Sequence, residues 1–242
     1  MVHIPMATAG TILPPHRRRA VAGRSPVAMN VESPRARIWL FGTAVLALVG
    51  LAVQFVWMQG QAVHVDAWWM TLRFLSYFTI LSNVLVALSC AAASLAPHST
   101  AGRLALRPAL RGAVLLYILI TALVYHLVLA GHWHPRGAAW LADMLLHSVV
   151  PTLYALGWLW IAPARGLHWR HLPGWLLVPV LYFLWAMLLG GVLHAYPYPF
   201  LNLARLGLDL LLRNAALLLG VFLLLGALLV LLDRGLLRLR RA

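Results

Sequence analysis

Apolar residues fall in long runs along this chain, and polar positions gather mainly at the ends of the runs. A helix that crosses a bilayer needs about 20 mostly apolar residues, because each residue rises ~1.5 Å. Six stretches qualify: about Ile38–Met58, Thr71–Leu95, Ala113–Ala130, Trp140–Ile161, Trp175–Leu193 and Arg213–Leu232. The third and sixth are the shortest and are expected to tilt least. Tryptophans flank the spans at Trp68, Trp69, Trp140 and Trp175, as indoles do at a membrane interface. The pattern predicts an all-α polytopic bundle of six transmembrane helices over residues 38–232. Residues 1–37 and 233–242 remain as basic tails.

Composition agrees with lipid as the solvent. The chain is 63% hydrophobic and 10% charged, with mean hydropathy +0.86, whereas soluble domains carry about 25% charged residues. This excludes a disordered chain, a collagen and a disulfide scaffold. The single cysteine, Cys90, excludes an internal disulfide and a cysteine metal cage. The Pro- and Arg-rich first 37 residues lack helical periodicity and read as a disordered tail. Behind Arg17-Arg18-Arg19 there is no apolar stretch with a small-residue cleavage site, so no signal peptide is expected. Met29 is an alternative start.

The net charge of +14 comes from nineteen arginines and no lysine. In a soluble protein it would suggest nucleic acid. Here fifteen of the arginines lie in the two tails and in the second and fourth connections, with Arg111 at a helix mouth. Six crossings put all these segments on one side. Only Arg73, Arg136, Arg205 and Arg213 fall to the other. The asymmetry predicts that both termini are cytoplasmic. The expected partner is the bilayer, not nucleic acid.

Chemistry must then come from polar residues at membrane depth, which are costly and functional candidates by default. Asp143 and His147 are four apart in the fourth span and share a helix face. Helical side chains lean toward the N-terminus, so His147 leans back toward Asp143 and a carboxylate can fix its tautomer. Pro151, one turn on, should kink the helix and free a carbonyl near His147. A continuous second span places Arg73, Ser76, Thr79 and Asn83 within about 120° of one another. A lone membrane Thr usually bonds its own backbone, and Asn often joins helices. Depth adds weight to Thr79, since it and His147 both lie about 10–12 Å below the outer helix ends. Tyr125 and His126 lie near the outer end of the third span. His64, His132, His134 and His194 fall on the same side, which keeps a metal or haem reading open.

Four segments carry a resemblance: Phe78-Thr79-Ile80-Leu81-Ser82-Asn83, Tyr125-His126, His147-Ser148-Val149-Val150-Pro151 and Tyr196-Pro197-Tyr198-Pro199-Phe200-Leu201. Over about residues 38–232 the chain resembles a bacterial six-transmembrane family related to the androgen-induced and androgen-dependent transmembrane proteins of animals. The animal members are threonine hydrolases of fatty acid esters of hydroxy fatty acids. The resemblance implies a multi-pass protein of the bacterial inner membrane, a catalytic Thr79–His147 pair and no cofactor. Asn202 stands where bacterial relatives are expected to carry an acid, and Gly190-Gly191 where they often carry Arg-Gly.

The mechanism expected on this basis has Thr79 as nucleophile, His147 as base and Asp143 orienting His147. Asn83 or Ser76 would donate to the oxyanion. Arg73 would meet a substrate carboxylate, and Tyr125, His126, Tyr196 and Tyr198 would line the pocket. A lipid ester reaching the site sideways between helices would explain why no soluble domain is needed. The competing class is a membrane protein that binds or transports a lipid or small solute, with Asp143–His147 as a proton relay.

Overall fold

The computed structural model of the chain describes residues 31, 33–61, 66–132, 134–161, 166–193 and 195–239. Among them the chain is helical without a strand, and six helices are long and apolar enough to cross a membrane. Met29, the alternative start, and residues 1–30 of the basic tail lie outside the described residues.

The helices are α1 (Pro34–Gly60), α2 (Ala67–Leu75), α3 (Phe78–Leu95), the short α4 (Thr100–Ala105) and α5 (Pro108–Val124). A π-helical turn, Tyr125–Leu129, prolongs α5. The fourth span joins α6 (Ala138–Met144), a second π turn (Leu145–Val149) and α7 (Val150–Trp160). The last two spans are α8 (Leu172–Leu193) and α9 (Leu203–Leu239). With six long helices running alternately up and down, the start of α1 and the end of α9 lie at one end of the bundle, called here the termini end; the opposite end is the far end.

Capping chemistry sets several boundaries outside the apolar runs. Ser33 accepts from the Ala36 N–H at 3.2 Å with Pro34 at the first helical position, so α1 begins before Ile38. Pro108 likewise opens α5 five residues before Ala113, which brings Arg111 inside the helix. Asn202 accepts from the Arg205 N–H at 3.0 Å at the start of α9. Asn and Asp serve equally well at an N-cap, so an acid is not needed there for that purpose. Gly207, with φ 73°, interrupts the first turn of α9 in a conformation that glycine adopts without strain. Beyond it α9 continues through Leu239 rather than stopping at Leu232. Asp233, 1% exposed, accepts from the Leu167 N–H at 3.0 Å, so residues 233–239 extend a packed helix rather than begin a tail.

In the bundle α1 lies against α3, α6 and α7, α5 against α3, α7 and α9, and α8 against α9. Leu116, Ile118, Val86, Val150 and Val230 are fully buried where these helices meet. The outward faces of α8 and α9 expose Leu181, Leu184, Leu188 and Leu224, as lipid-facing surfaces do.

Candidate functional site

The second span breaks where its polar positions begin. Ser76 ends α2, its N–H donating to the Arg73 carbonyl at 3.2 Å and its Oγ to the same carbonyl at 2.6 Å, while the Tyr77 N–H donates to the Phe74 carbonyl at 3.3 Å. Tyr77 is extended (φ −82°, ψ 130°), and α3 starts anew at Phe78. Such a break leaves backbone groups without helical partners, and two phenols supply them. Tyr182 of α8 donates to the Ser76 carbonyl at 2.9 Å, and the Thr79 N–H donates to the Tyr198 hydroxyl at 3.3 Å. The stripe expected on a continuous helix is therefore divided. Arg73 stays exposed on α2, the Ser76 hydroxyl proton is engaged at the end of α2, and Thr79 and Asn83 alone continue on α3.

The two π turns carry the facing residues. The Ala130 N–H bonds the Tyr125 carbonyl, and the Val150 N–H bonds the Leu145 carbonyl. Pro151 has no N–H to offer the His147 carbonyl, and the local adjustment before it takes the form of a π turn. Single π turns inside helices are frequent at functional sites.

Thr79 Oγ1 lies 3.4 Å from His147 Nε2 and 3.3 Å from the Tyr198 hydroxyl. On the other side of the ring, His147 Nδ1 is 3.1 Å from the Asp143 carbonyl oxygen and 3.2 Å from Asp143 Oδ1. Both neighbours of Nδ1 are acceptors, which assigns the proton to Nδ1 and leaves the Nε2 lone pair facing Thr79. Tyr125 donates its hydroxyl to Asp143 Oδ2. The same tyrosine stacks on the imidazole with centroids 3.9 Å apart and planes 13° apart. One residue therefore holds both the carboxylate and the ring it orients.

Tyr198 reaches Thr79 from the turn between α8 and α9. It is stacked on Phe200 at 5.1 Å and meets Tyr77 edge-on at 5.7 Å. Burial pushes its phenol above the ordinary tyrosine range, so its hydroxyl is a donor at neutral pH. Tyr196, two residues earlier, packs elsewhere. A Cβ added to Gly190 would lie 2.0 Å from Tyr196 Cε1. Gly190 thus accommodates this tyrosine, and an arginine there would displace it, whereas a Cβ at Gly191 would meet nothing within 4 Å.

Asn83 has a different role from the one its position suggests. It is fully buried, and Nδ2 donates to the Thr79 carbonyl at 2.8 Å and to the Leu146 carbonyl at 3.1 Å. With both amide protons engaged, it is not poised to donate to an oxyanion. It ties the residue that bears the hydroxyl to the π turn that bears the imidazole. Its Oδ1 has no hydrogen-bond partner among the described residues. His126 faces outward and meets Ser148 Oγ at 3.1 Å. His134 is exposed, and His64, His194 and the His132 side chain lie outside the description. Among the described residues no three His, Cys, Asp or Glu side chains gather into a metal-sized group.

Thr79, Thr121, Tyr125, Tyr182 and Tyr198 are the hydroxyl-bearing residues in the wall of a cavity of about 310 Å³, and Thr121 and Tyr182 spend their protons on the Tyr117 and Ser76 carbonyls. The rest of the lining is almost wholly apolar, from Phe78 and from residues of α5, α8 and α9 such as Val124, Phe183 and Phe222. This is the general character of a small-molecule site, apolar with a few placed polar groups. Sequence reasoning did not single out Tyr182 or Thr121; the latter meets Ser82 Oγ at 2.8 Å. Isolated hydroxyls in apolar runs give little signal until their neighbours across the bundle are known. No protein-family model, curated protein or solved structure matches this chain.

Proposed function

We propose that this multi-pass membrane protein hydrolyses esters of fatty acids, with Thr79 as nucleophile and His147 as general base. The observation that supports this best is the His147 Nε2 lone pair, held 3.4 Å from the Thr79 hydroxyl at the wall of an apolar cavity. Nucleophile–base distances are often long without substrate and shorten in the reacting complex.

In the proposed reaction Thr79 Oγ attacks the ester carbonyl carbon as its proton passes to His147 Nε2. The carbonyl π electrons move onto oxygen, where the Tyr198 hydroxyl, 3.3 Å from Thr79 Oγ1, is the donor at hand. The tetrahedral intermediate collapses, the bond to the leaving alcohol breaks, and His147 gives that alcohol its proton. Water then attacks the threonyl ester, its proton passes to His147, and the free acid leaves as Thr79 recovers its hydrogen. Asp143 and Tyr125 touch His147 rather than the substrate, and act as positioning residues. Fatty acid esters of hydroxy fatty acids are the substrates suggested by the resemblance.

The test is fluorophosphonate labelling of the purified protein. Wild type should be labelled, Thr79→Ala should lose the label, and His147→Ala should retain little of it. Full labelling of Thr79→Ala would reject the nucleophile. An unlabelled wild type without ester turnover would point instead to a membrane protein that binds lipid in the same cavity.

A further inference from the structure

The cavity beside Thr79 is not sealed from the surface of the bundle. Val180 on α8 and Leu212 and Leu219 on α9 line it, yet they are 41%, 52% and 37% exposed. Residues that both line a cavity and face outward mark its mouth, which therefore opens sideways on the α8–α9 flank. Ala215 and Ala216 lie between Leu212 and Leu219, and are the smallest side chains of the lining. At 3.6 residues per turn, Leu212, Ala215, Ala216 and Leu219 share one face of α9. Leu217, on the same turn, is exposed but lies outside the lining. Leu212 stands at the outer end of the apolar run of α9 and Leu219 about 10 Å further along it, so the mouth reaches from the interface toward the hydrocarbon level.

From these placements we infer that the α8–α9 flank is the access route and seat for one acyl chain of a bilayer lipid ester, kept open by Ala216. The occupant follows from the chemistry of the lining. The residues that line the mouth are aliphatic, and the exposed Asp209 and Arg213 stand at its outer edge outside the lining, so a headgroup finds its polar partners there and would be desolvated at a cost inside. An alkyl chain passes from hydrocarbon to an apolar cavity without changing solvent. It gains specific packing and places its carboxyl carbon at the polar wall of Thr79, Tyr125 and Tyr198. The inference rests on the proposed Thr79 chemistry and adds the chain's path.

Filling the mouth tests it. Turnover of p-nitrophenyl acetate and p-nitrophenyl palmitate is measured for wild type, Ala216→Trp and Leu217→Trp in the same vesicles. Ala216→Trp should lower palmitate turnover by about tenfold or more while acetate turnover and fluorophosphonate labelling persist, since a small ester does not need the whole seat. Leu217→Trp, equally bulky but outside the lining, should leave both esters as in wild type. Equal turnover of palmitate by wild type and Ala216→Trp would overturn the route. Loss of both esters in Ala216→Trp would leave folding to be checked by Ala216→Leu, which should lower palmitate turnover selectively; no selectivity there would also overturn it. A separate readout needs no turnover. In Thr79→Ala, a photoreactive diazirine analogue of palmitic acid should crosslink to residues 212–219, and Ala216→Trp should remove that crosslink. Crosslinking elsewhere only would reject the seat, whereas an unlabelled, inactive wild type would reject the Thr79 chemistry itself.

Discussion

Polar side chains are buried toward both ends of the bundle, and their donors are engaged in different ways. Toward the termini end, Arg111 is 7% exposed. Its Nη1 donates to the Ile161 carbonyl at 3.0 Å and its Nη2 approaches the Gly157 carbonyl at 3.4 Å. These carbonyls close α7, where the helix dipole favours a cation. Nearby, the Tyr117 hydroxyl donates to the Trp175 carbonyl at 2.9 Å, and the Trp175 indole donates to the Ala109 carbonyl at 2.9 Å. The space beside Arg111 amounts to about 10 Å³, room for about one water. Toward the far end, Thr79 and His147 meet through a hydroxyl and a lone pair, beside a cavity of about 310 Å³. The difference teaches that burial of an ionisable group is not by itself a site. At one end the donors of Arg111, Tyr117 and Trp175 are spent on backbone carbonyls. At the other, backbone groups are met by Asn83, Tyr182 and Tyr198, and the Thr79 hydroxyl is left between the His147 ring and the cavity.

The comparison is broken most forcibly at His147. On the proposed chemistry, His147→Ala should lower p-nitrophenyl butyrate turnover by about a thousandfold or more, since triad-type bases carry effects of that size. Turnover close to wild type would leave the far end no more reactive than the termini end.

Much of this contrast was legible in the sequence, and the missing parts have physical causes. Hydropathy defined six spans because each apolar run is long enough to cross lipid. The i, i+4 spacing brought Asp143 and His147 together, and equal depth put Thr79 at the level of His147. The break at Ser76-Tyr77 was not legible. It has no Gly or Pro, and the phenols of Tyr182 and Tyr198 that compensate for it are distant in sequence. For the same reason Ser76 and Asn83 looked like free donors, although their protons are engaged by carbonyls. Tyr196 and Tyr198 were indistinguishable within one motif, and only the packing of Tyr196 on Gly190 separates them. Arg111 looked like a helix mouth because apolarity alone does not reveal that Pro108 starts the helix a turn earlier.

Tyr198→Phe should have the next largest effect. The ring and its stacking on Phe200 persist, and only the hydroxyl beside Thr79 is lost. Removal of one oxyanion donor typically costs ~2.7–4 kcal/mol, about a hundred- to a thousandfold in kcat. A change confined to KM would mean that Tyr198 serves binding rather than the developing charge. Tyr125→Phe should follow, because it keeps the stacked ring and removes one hydrogen bond to the Asp143 carboxylate. A hydrogen bond to a charged group contributes ~1.5–3 kcal/mol, so a drop of about tenfold in kcat with KM unchanged is expected. If kcat stays at the wild-type value, Asp143 holds its orientation without Tyr125.

Arg111→Met should affect turnover least, and for that reason it tests the comparison from the other side. Methionine replaces the apolar stem of arginine but cannot donate to the Ile161 and Gly157 carbonyls. Leaving a buried acceptor unmade costs ~1–3 kcal/mol, and the favourable charge at the end of α7 is lost as well. The variant should therefore melt earlier in detergent. Turnover per fluorophosphonate-labelled molecule should nevertheless remain within about twofold of wild type, because sites far apart without shared partners act independently. Normalising to labelled protein separates the two effects, since molecules that fail to fold bind no label. A fall in turnover per labelled molecule as large as that of Tyr125→Phe would show that the two ends are coupled through α5 and α7, and the proposed division between a structural end and a catalytic end would fail.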